Sequence, residues 1–394
     1  LDAVSLLTSA DLVTRILTIC IIISQINCLF SALEFFGALK LSDQSVNLKC
    51  IGVDLGTSTI KVSFGDKRYR IPSIIGEPNP GGFAGITQDT SWENNLVAII
   101  DNQEWYVGEL ARVQSVLKIP LAREGKVKST KEAKIAVLSA LGIIHEPHQD
   151  IKYVVGTGVP VATGTSEMQE LSKAIVGKHK FTLKNDATGE VKTINLHVVA
   201  APVLPEPYGC YYYVLKSRGI EKAFDAVIID VGFGTTDILS IHRGTIVRPA
   251  SGSTPDAIDT LAEKLASFLE EHTGYIVKLE SLAAALEKGT KITIGGVVYD
   301  IKPQLERVAQ IVAESILDTL DRLIRNLPPQ ASVKYYILTG GGIYILGKYL
   351  KDALIERKLA TKEQILIPDD PVMANSIGFE LVARYFAEKK LPST

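Results

Sequence analysis

Residues 50–61 read CIGVDLGTSTIK: a short apolar run, an aspartate, a Gly-Thr-Ser-Thr turn, and a second run opening with Ile60 and Lys61. A tight hairpin of this composition aims several backbone N–H groups at one spot, which makes a nest for phosphate oxygens. Gly56 lets the backbone approach a ligand closely, and Thr57, Ser58 and Thr59 add short hydroxyl donors. Lys61 follows closely enough after Asp54 to return its ammonium to the same anion. Asp54 would repel a phosphate unless a divalent cation lay between them, so its presence points to a metal–nucleotide site. An ordinary glycine-containing hairpin has the same outline, and the run alone does not decide between the two.

Residues 226–241, AVIIDVGFGTTDILSI, repeat the design with Asp230, Gly232, Phe233, Gly234, Thr235, Thr236 and Asp237. Two Asp-Gly-Thr hairpins in distant parts of one chain suggest two similar halves gripping one polyphosphate from opposite sides. A third run, YYILTGGG at 335–342, is a strand followed by Gly340, Gly341 and Gly342 and then an apolar helix from Ile343. Consecutive glycines remove side-chain bulk where a flat ring or a ribose could lie against backbone.

In this order the runs resemble the actin and heat-shock ATPase superfamily, over roughly residues 49–387. DLGTSTIK resembles its first phosphate motif, DVGFGTTD the second, and LTGGG the adenosine motif. VLPEPYG at 203–209 and PVMANSIGFELVA at 371–383 resemble the two connecting motifs. DLGTSTIK and the segment LEKGTKITIGGVVYDI at 286–301 look most like the prokaryotic ParM-type actins, which polymerise and move plasmids or other cargo. The resemblance implies an α/β fold of two similar ribonuclease-H-like domains flanking a nucleotide cleft, each with a smaller inserted subdomain. The first domain is expected over 49–207 plus 368–394, with its small subdomain near 65–130. The second is expected over 208–367, with its small subdomain near 250–300.

The resemblance also assigns roles. The nests at 56–59 and 232–236 would hold the β- and γ-phosphates of ATP (GTP is the alternative), and Lys61 would supply a point charge. Mg²⁺ keeps most of its waters, so Asp54 and Asp230 are expected to meet it through water. Glu206 occupies the place where family members carry the side chain that aligns the attacking water, as orienter or general base. Its competing reading is an acid favoured by a helix N-terminus. Asp230 and Asp237 complete the expected catalytic set, although Asp237 also reads as a solvated turn residue. Gly252, Asp256, Glu287 and Lys288 resemble positions that contact ribose and adenine, and Lys288 reads equally well as an exposed helix-end cation. Gly209 and Gly378 lie on the two connecting helices, where small residues permit a close crossing and a hinge.

The elements that must carry these residues are legible in outline. Strands are expected at 68–72, 96–107, 150–161, 191–203, 226–231, 236–242 and 245–248. Helices are expected from Thr130 to about Ile144, over 166–176, from Tyr208, over 281–287 and over 303–326. Ser253-Thr254-Pro255-Asp256 has the composition of a helix opening, with a hydroxyl cap and proline in the first turn. That helix would run to about His272 with Ile258, Leu261, Leu265 and Leu269 on its apolar face. Lys291–Asp300 reads as a hairpin turning at Gly295-Gly296.

At 394 residues the chain holds two domains of ordinary size, and 46% hydrophobic with 22% charged residues is a globular composition. A net charge of −2 without a dense basic stripe argues against direct nucleic-acid binding, so any DNA cargo needs an adaptor protein. The cysteines at 20, 28, 50 and 210 have no metal-ligand or redox spacing, which suits a reducing, cytoplasmic setting. The six histidines show no ligand pattern either. Residues 16–33 are uncharged and apolar, at the lower limit for a spanning helix, so 1–48 is expected to be either a membrane anchor or a dispensable extension. The expected activity is ATP hydrolysis coupled to self-assembly into filaments. The alternatives are a cell-shape filament at the membrane and a small-molecule kinase of the same superfamily.

Overall fold

The structure, a computed structural model, describes residues 47–79, 89–121, 130–146, 151–220, 222–286 and 289–391. Asn47–Tyr385 form one compact unit. The apolar segment 16–33 and the rest of 1–46 lie outside the described residues, as do Glu287 and Lys288.

The first half opens with an antiparallel meander, β1 (Asn47–Leu55), β2 (Thr59–Phe64) and β3 (Lys67–Pro72). Then come β4 (Ile74–Gly76), β5 (Leu96–Ile100), β6 (Gln103–Val107), the short helix α1 (Glu109–Gln114) and β7 (Lys118–Pro120). Helix α2 (Thr130–Ile144) leads to β8 (Ile151–Val159), which lies parallel to β1. After α3 (Thr165–Ile175) the hairpin β9 (Gly177–Asn185) and β10 (Val191–Ala200) returns to β8, and β11 (Val203–Pro205) pairs with its end. The sheet order is β3-β2-β1-β8-β10-β9-β5-β6-β4-β7. Strands β4 to β7 therefore extend the main sheet through the β5–β9 pairing. One face at the centre of this sheet is apolar, with Ile51, Val53, Leu55, Tyr153 and Val155 in alternate positions and fully buried, while Gly52, Val154 and Gly156 alternate onto the other.

Helix α4 (Glu206–Ser217) carries the chain into the second half. There β12 (Ala226–Val231), β13 (Thr236–His242) and β14 (Thr245–Ile246) repeat the antiparallel meander. Next come β15 (Gly252–Thr254), α5 (Ile258–Thr273), α6 (Leu279–Leu286), the hairpin β16 (Lys291–Ile294) and β17 (Val297–Asp300), and the long helix α7 (Lys302–Ile324). Strand β18 (Tyr335–Thr339) lies parallel to β12, followed by α8 (Ile343–Glu356), β19 (Ile365–Leu366) and α9 (Ala374–Lys390). The order β14-β13-β12-β18 matches β3-β2-β1-β8 strand for strand. The chain is thus built of two similar α/β halves, each placing a tight hairpin beside a parallel strand.

The helix opening expected at 253–256 is displaced. Ser253 and Thr254 pair as a strand with Asp237 and Thr236, and α5 begins at Ile258 behind Ala257. Strand pairing satisfies backbone groups that a helix start would leave to side-chain caps. The four apolar residues expected on α5 are all buried. Among the described residues no helix is long and apolar enough to cross a membrane.

Glycines determine how α9 is seated. Gly52 of β1 is in register with Gly156 of β8. A Cβ on Gly52 would lie 1.8 Å from the Ser376 carbonyl oxygen, and one on Gly156 2.1 Å from that of Phe379. Helix α9 thus rests backbone to backbone on the sheet. It crosses α4 the same way, since a Cβ on Gly378 would lie 1.7 Å from the Gly209 carbonyl oxygen.

Candidate functional site

Each hairpin sets two charged residues directly opposite one another, one pair back from its turn. In the first, Asp54 of β1 faces Lys61 of β2. In the second, Asp230 of β12 faces Asp237 of β13. The two turns are alike, yet the partner is a cation in one and a carboxylate in the other. Carboxylates directly opposite one another repel, and something besides the hairpin must offset that.

Lys61 Nζ donates to Asp54 Oδ2 at 2.9 Å, with the carboxylate 2% exposed and the lysine side chain 16%. The ammonium folds back over the turn, so that a Cβ on Gly56 would lie 2.9 Å from it. Burial disfavours the charged lysine, but Asp54, and behind it Asp230 and Glu206, hold its pKa above the ordinary value. Asp230 is pushed up to about 7, first by burial and then by the charge of Asp54, against the opposing pull of Lys61 and a hydrogen bond from Asn375. Asp54 Oδ1 is buried and has no hydrogen-bond partner. A desolvated carboxylate oxygen left unmatched beside further carboxylates is chemically suited to a cation or its waters. Among the described residues no three His, Cys, Asp or Glu side chains converge closely enough to ligate a metal directly.

The two hairpins meet. Thr57, from the first turn, has its Oγ1 4.0 Å from where a Cβ of Gly232 would be, and its Cγ2 3.7 Å from that of Gly234. Thr57, Ser58 and Thr59 form the rim of one turn, with Ser58 and Thr59 hydroxyls 3.2 Å apart. Gly232, Phe233, Gly234 and Thr235 form the other, closed by the Gly232 N–H donating to the Thr235 carbonyl at 2.9 Å. Thr236 is engaged elsewhere, its hydroxyl donating to the Asp256 carbonyl at 2.7 Å. Asp237 Oδ1 accepts from Ser253 Oγ at 2.5 Å and from the Val161 N–H, in the first half, at 3.4 Å.

Glu206 is the first residue of α4, and its Cγ lies 2.9 Å from where a Cβ of Gly158 would be. Only glycine at 158 leaves that side chain its path across β8. In the glycine triplet, Gly340 has φ +88°, and a Cβ there would be 2.3 Å from Asp230 Oδ1. Gly342 is wedged against Val231, while the position above Gly341 is open. The triplet therefore borders Asp230 and leaves room beside it for a flat group. Gly252 and Asp256 point elsewhere. Gly252 faces Leu323 of α7, and the Asp256 carboxylate accepts from Thr254 Oγ1 at 2.8 Å and Ser315 Oγ at 2.7 Å. Asp256 lines a polar cavity of about 550 Å³ with Ser315, Arg322 and Arg325, and Asp54, Lys61 and Asp230 are not part of that lining.

Two residues emerge only from the folded chain. Asn375 of α9 binds Asp230, and Asp259 of α5 lies beside Gly234 while its N–H donates to the Phe233 carbonyl at 2.9 Å. Asn375 falls within the run PVMANSIGFELVA, but nothing in that run marks its side chain as the partner of Asp230. The second follows a helix start that the sequence placed too early.

Comparison with known proteins agrees with this fold. Residues 52–209 match the family model for the N-terminal domain of actin-like proteins, and residues 228–352 match that for the C-terminal part of archaeal MreB-like actin homologues. An archaeal actin homologue from Thermoplasma volcanium is 27% identical over 348 residues, covering 84% of this chain and 97% of that protein. A ParM filament from Clostridium botulinum superposes with a TM-score of 0.67 at 22% identity, over 86% of this chain and all of that one. An archaeal actin homologue solved in complex with ADP gives a TM-score of 0.65 at 21% identity, over 86% and 99% of the two chains.

Proposed function

This chain belongs to the actin-like ATPase superfamily, in its prokaryotic branch, and we propose that it binds and hydrolyses ATP between its two hairpins and assembles into filaments. The observation that carries this reading is the approach of Thr57 to Gly232 and Gly234, which leaves both turns facing the same ligand. The N–H groups of 56–59 and 232–235 cradle the phosphates, and Lys61 neutralises part of their charge. Asp54, with its unmatched Oδ1, and Asp230 are the residues that would hold Mg²⁺. Bound there, Mg²⁺ would supply charge neutralisation for the phosphates. Glu206 orients the attacking water and takes up its proton, and Asp237 supports that water. Gly340, Gly341 and Gly342 receive the nucleoside. GTP fits the same phosphate chemistry.

Assembly is supported by the relatives, one of which was solved as a filament and one with a bound nucleoside diphosphate. We infer a cytoplasmic, cytoskeletal task such as segregating plasmid DNA through a DNA-binding adaptor, because a net charge of −2 offers nucleic acid no favourable surface. Sedimentation and electron microscopy with Mg-ATP, Mg-ADP and Mg-GTP test this. Filaments with the triphosphate, together with phosphate release, are expected. A protein that stays monomeric under all three, across concentration and salt, is not a filament former.

A further inference from the structure

Asn375 lies at the second position of α9 and is 6% exposed. Its side-chain amide is used at both ends. Nδ2 donates to Asp230 Oδ2 at 2.6 Å, and Oδ1 accepts from the Cys210 N–H at 3.0 Å. Asp230 belongs to the second hairpin, whereas Cys210 belongs to α4, the helix that starts with Glu206. The backbone of Asn375 is equally constrained, since a Cβ on Gly209 would lie 2.5 Å from its carbonyl oxygen. The orientation of the amide is fixed by its neighbours, because only the NH₂ end can face a carboxylate and only the oxygen can face an N–H. A hydrophobic isostere would leave both partners unmatched.

We propose that Asn375 is a positioning residue for hydrolysis, holding the Asp230 carboxylate at a fixed separation from the helix that carries Glu206. The proposal rests on the reading of the cleft as an ATPase site. Asn375 touches neither turn that would hold phosphate, and its variants keep the Asp230 carboxylate itself, so its effect falls on the alignment of reacting groups far more than on how tightly the nucleotide is held. Misplacement by about 1 Å can cost on the order of 10²-fold in rate.

Three proteins decide the matter: wild type, Asn375→Ala and Asn375→Asp. Asn375→Asp keeps the side-chain shape and the acceptor for Cys210, but presents an oxygen where Asp230 needs a donor. Phosphate release gives kcat, and calorimetry with Mg-ATP below the assembly concentration gives Kd. Both variants are expected to lose about ten- to a hundredfold in kcat while Kd moves by less than about threefold. A folded variant with wild-type kcat overturns the proposal, as does equal loss in kcat and Kd, which is the signature of a merely structural role. Should Asn375→Ala fail to fold, Asn375→Asp alone carries the decision. Wild type without turnover would instead remove the ATPase reading itself, and the control shows which has failed.

Discussion

At the scale of single residues, the charged groups of the site are unequal. In the proposed role Glu206 orients the attacking water and holds no phosphate, so Glu206→Ala should leave Mg-ATP affinity in place while slowing phosphate release by about 10² or more. Turnover equal to wild type in that variant would exclude the role. Asp54 has the unmatched oxygen, and Asp54→Ala should weaken Mg-ATP binding in calorimetry more than it weakens ATP binding in the presence of EDTA. Asp230, raised to about 7 by burial and by Asp54, binds its proton more tightly folded than unfolded. Its contribution to stability is therefore fully present below the unfolded value near 4 and is lost as pH rises through 7. Without nucleotide, the melting temperature should fall between pH 5 and pH 8, and Asp230→Asn should flatten that slope; an identical slope in both proteins would rule Asp230 out as its source. Asp54 and Asp230 could be picked out because each stands beside a turn whose glycines and hydroxyls mark a ligand, and Glu206 only through the resemblance of VLPEPYG to a connecting motif. Asn375 could not, because its importance lies in two partners that meet only after α4 and α9 cross.

At the scale of elements, the recurring device is glycine where backbones must touch. Helix α9 lies on Gly52 and Gly156 and crosses α4 at Gly209 and Gly378. A methyl group at 378 has nowhere to go, so Gly378→Ala should destabilise the fold by about 1–3 kcal/mol or more in denaturant unfolding. A loss under about 0.5 kcal/mol, the usual range for surface substitutions, would mean that the helices can separate without cost. Most elements follow from local pattern: α2 spans the residues expected, and the β12–β13 hairpin begins and ends where Asp230 and Asp237 place it. One strand went unread and one helix start was misplaced, each for an identifiable reason. The alternating segment KHKFTLKN carried a strand signal, and it forms β9 as the partner of β10 and β5. Residues 253–256 have helix-opening chemistry, yet pairing with β13 draws the first two of them into β15.

At the scale of the whole molecule, the two halves bring one hairpin each to a shared site, and a nucleotide bridging them would bias how closely they approach. Assembly that depends on the triphosphate is the expected consequence, and a mixture of wild type with Glu206→Ala should yield longer-lived filaments than wild type alone. Disassembly rates that do not change across such mixtures would disconnect hydrolysis from filament lifetime. A chain starting at Asn47 keeps every pairing of β1 with β2 and β8, so removing residues 1–46 should leave ATP turnover unchanged; an unfolded product would show that the segment belongs to the core. The sequence by itself determined the duplicated hairpin, the glycine triplet and the turn residues proposed to meet phosphate, because turn chemistry and strand alternation are local properties of consecutive residues. Tertiary structure decided the rest: that Thr57 of one turn sits against Gly232 and Gly234 of the other, that Asp256 faces α7, and that Asn375 joins Asp230 to α4. Those contacts span long separations in the chain, and only the packing of helices on two sheets fixes which distant side chains share a space.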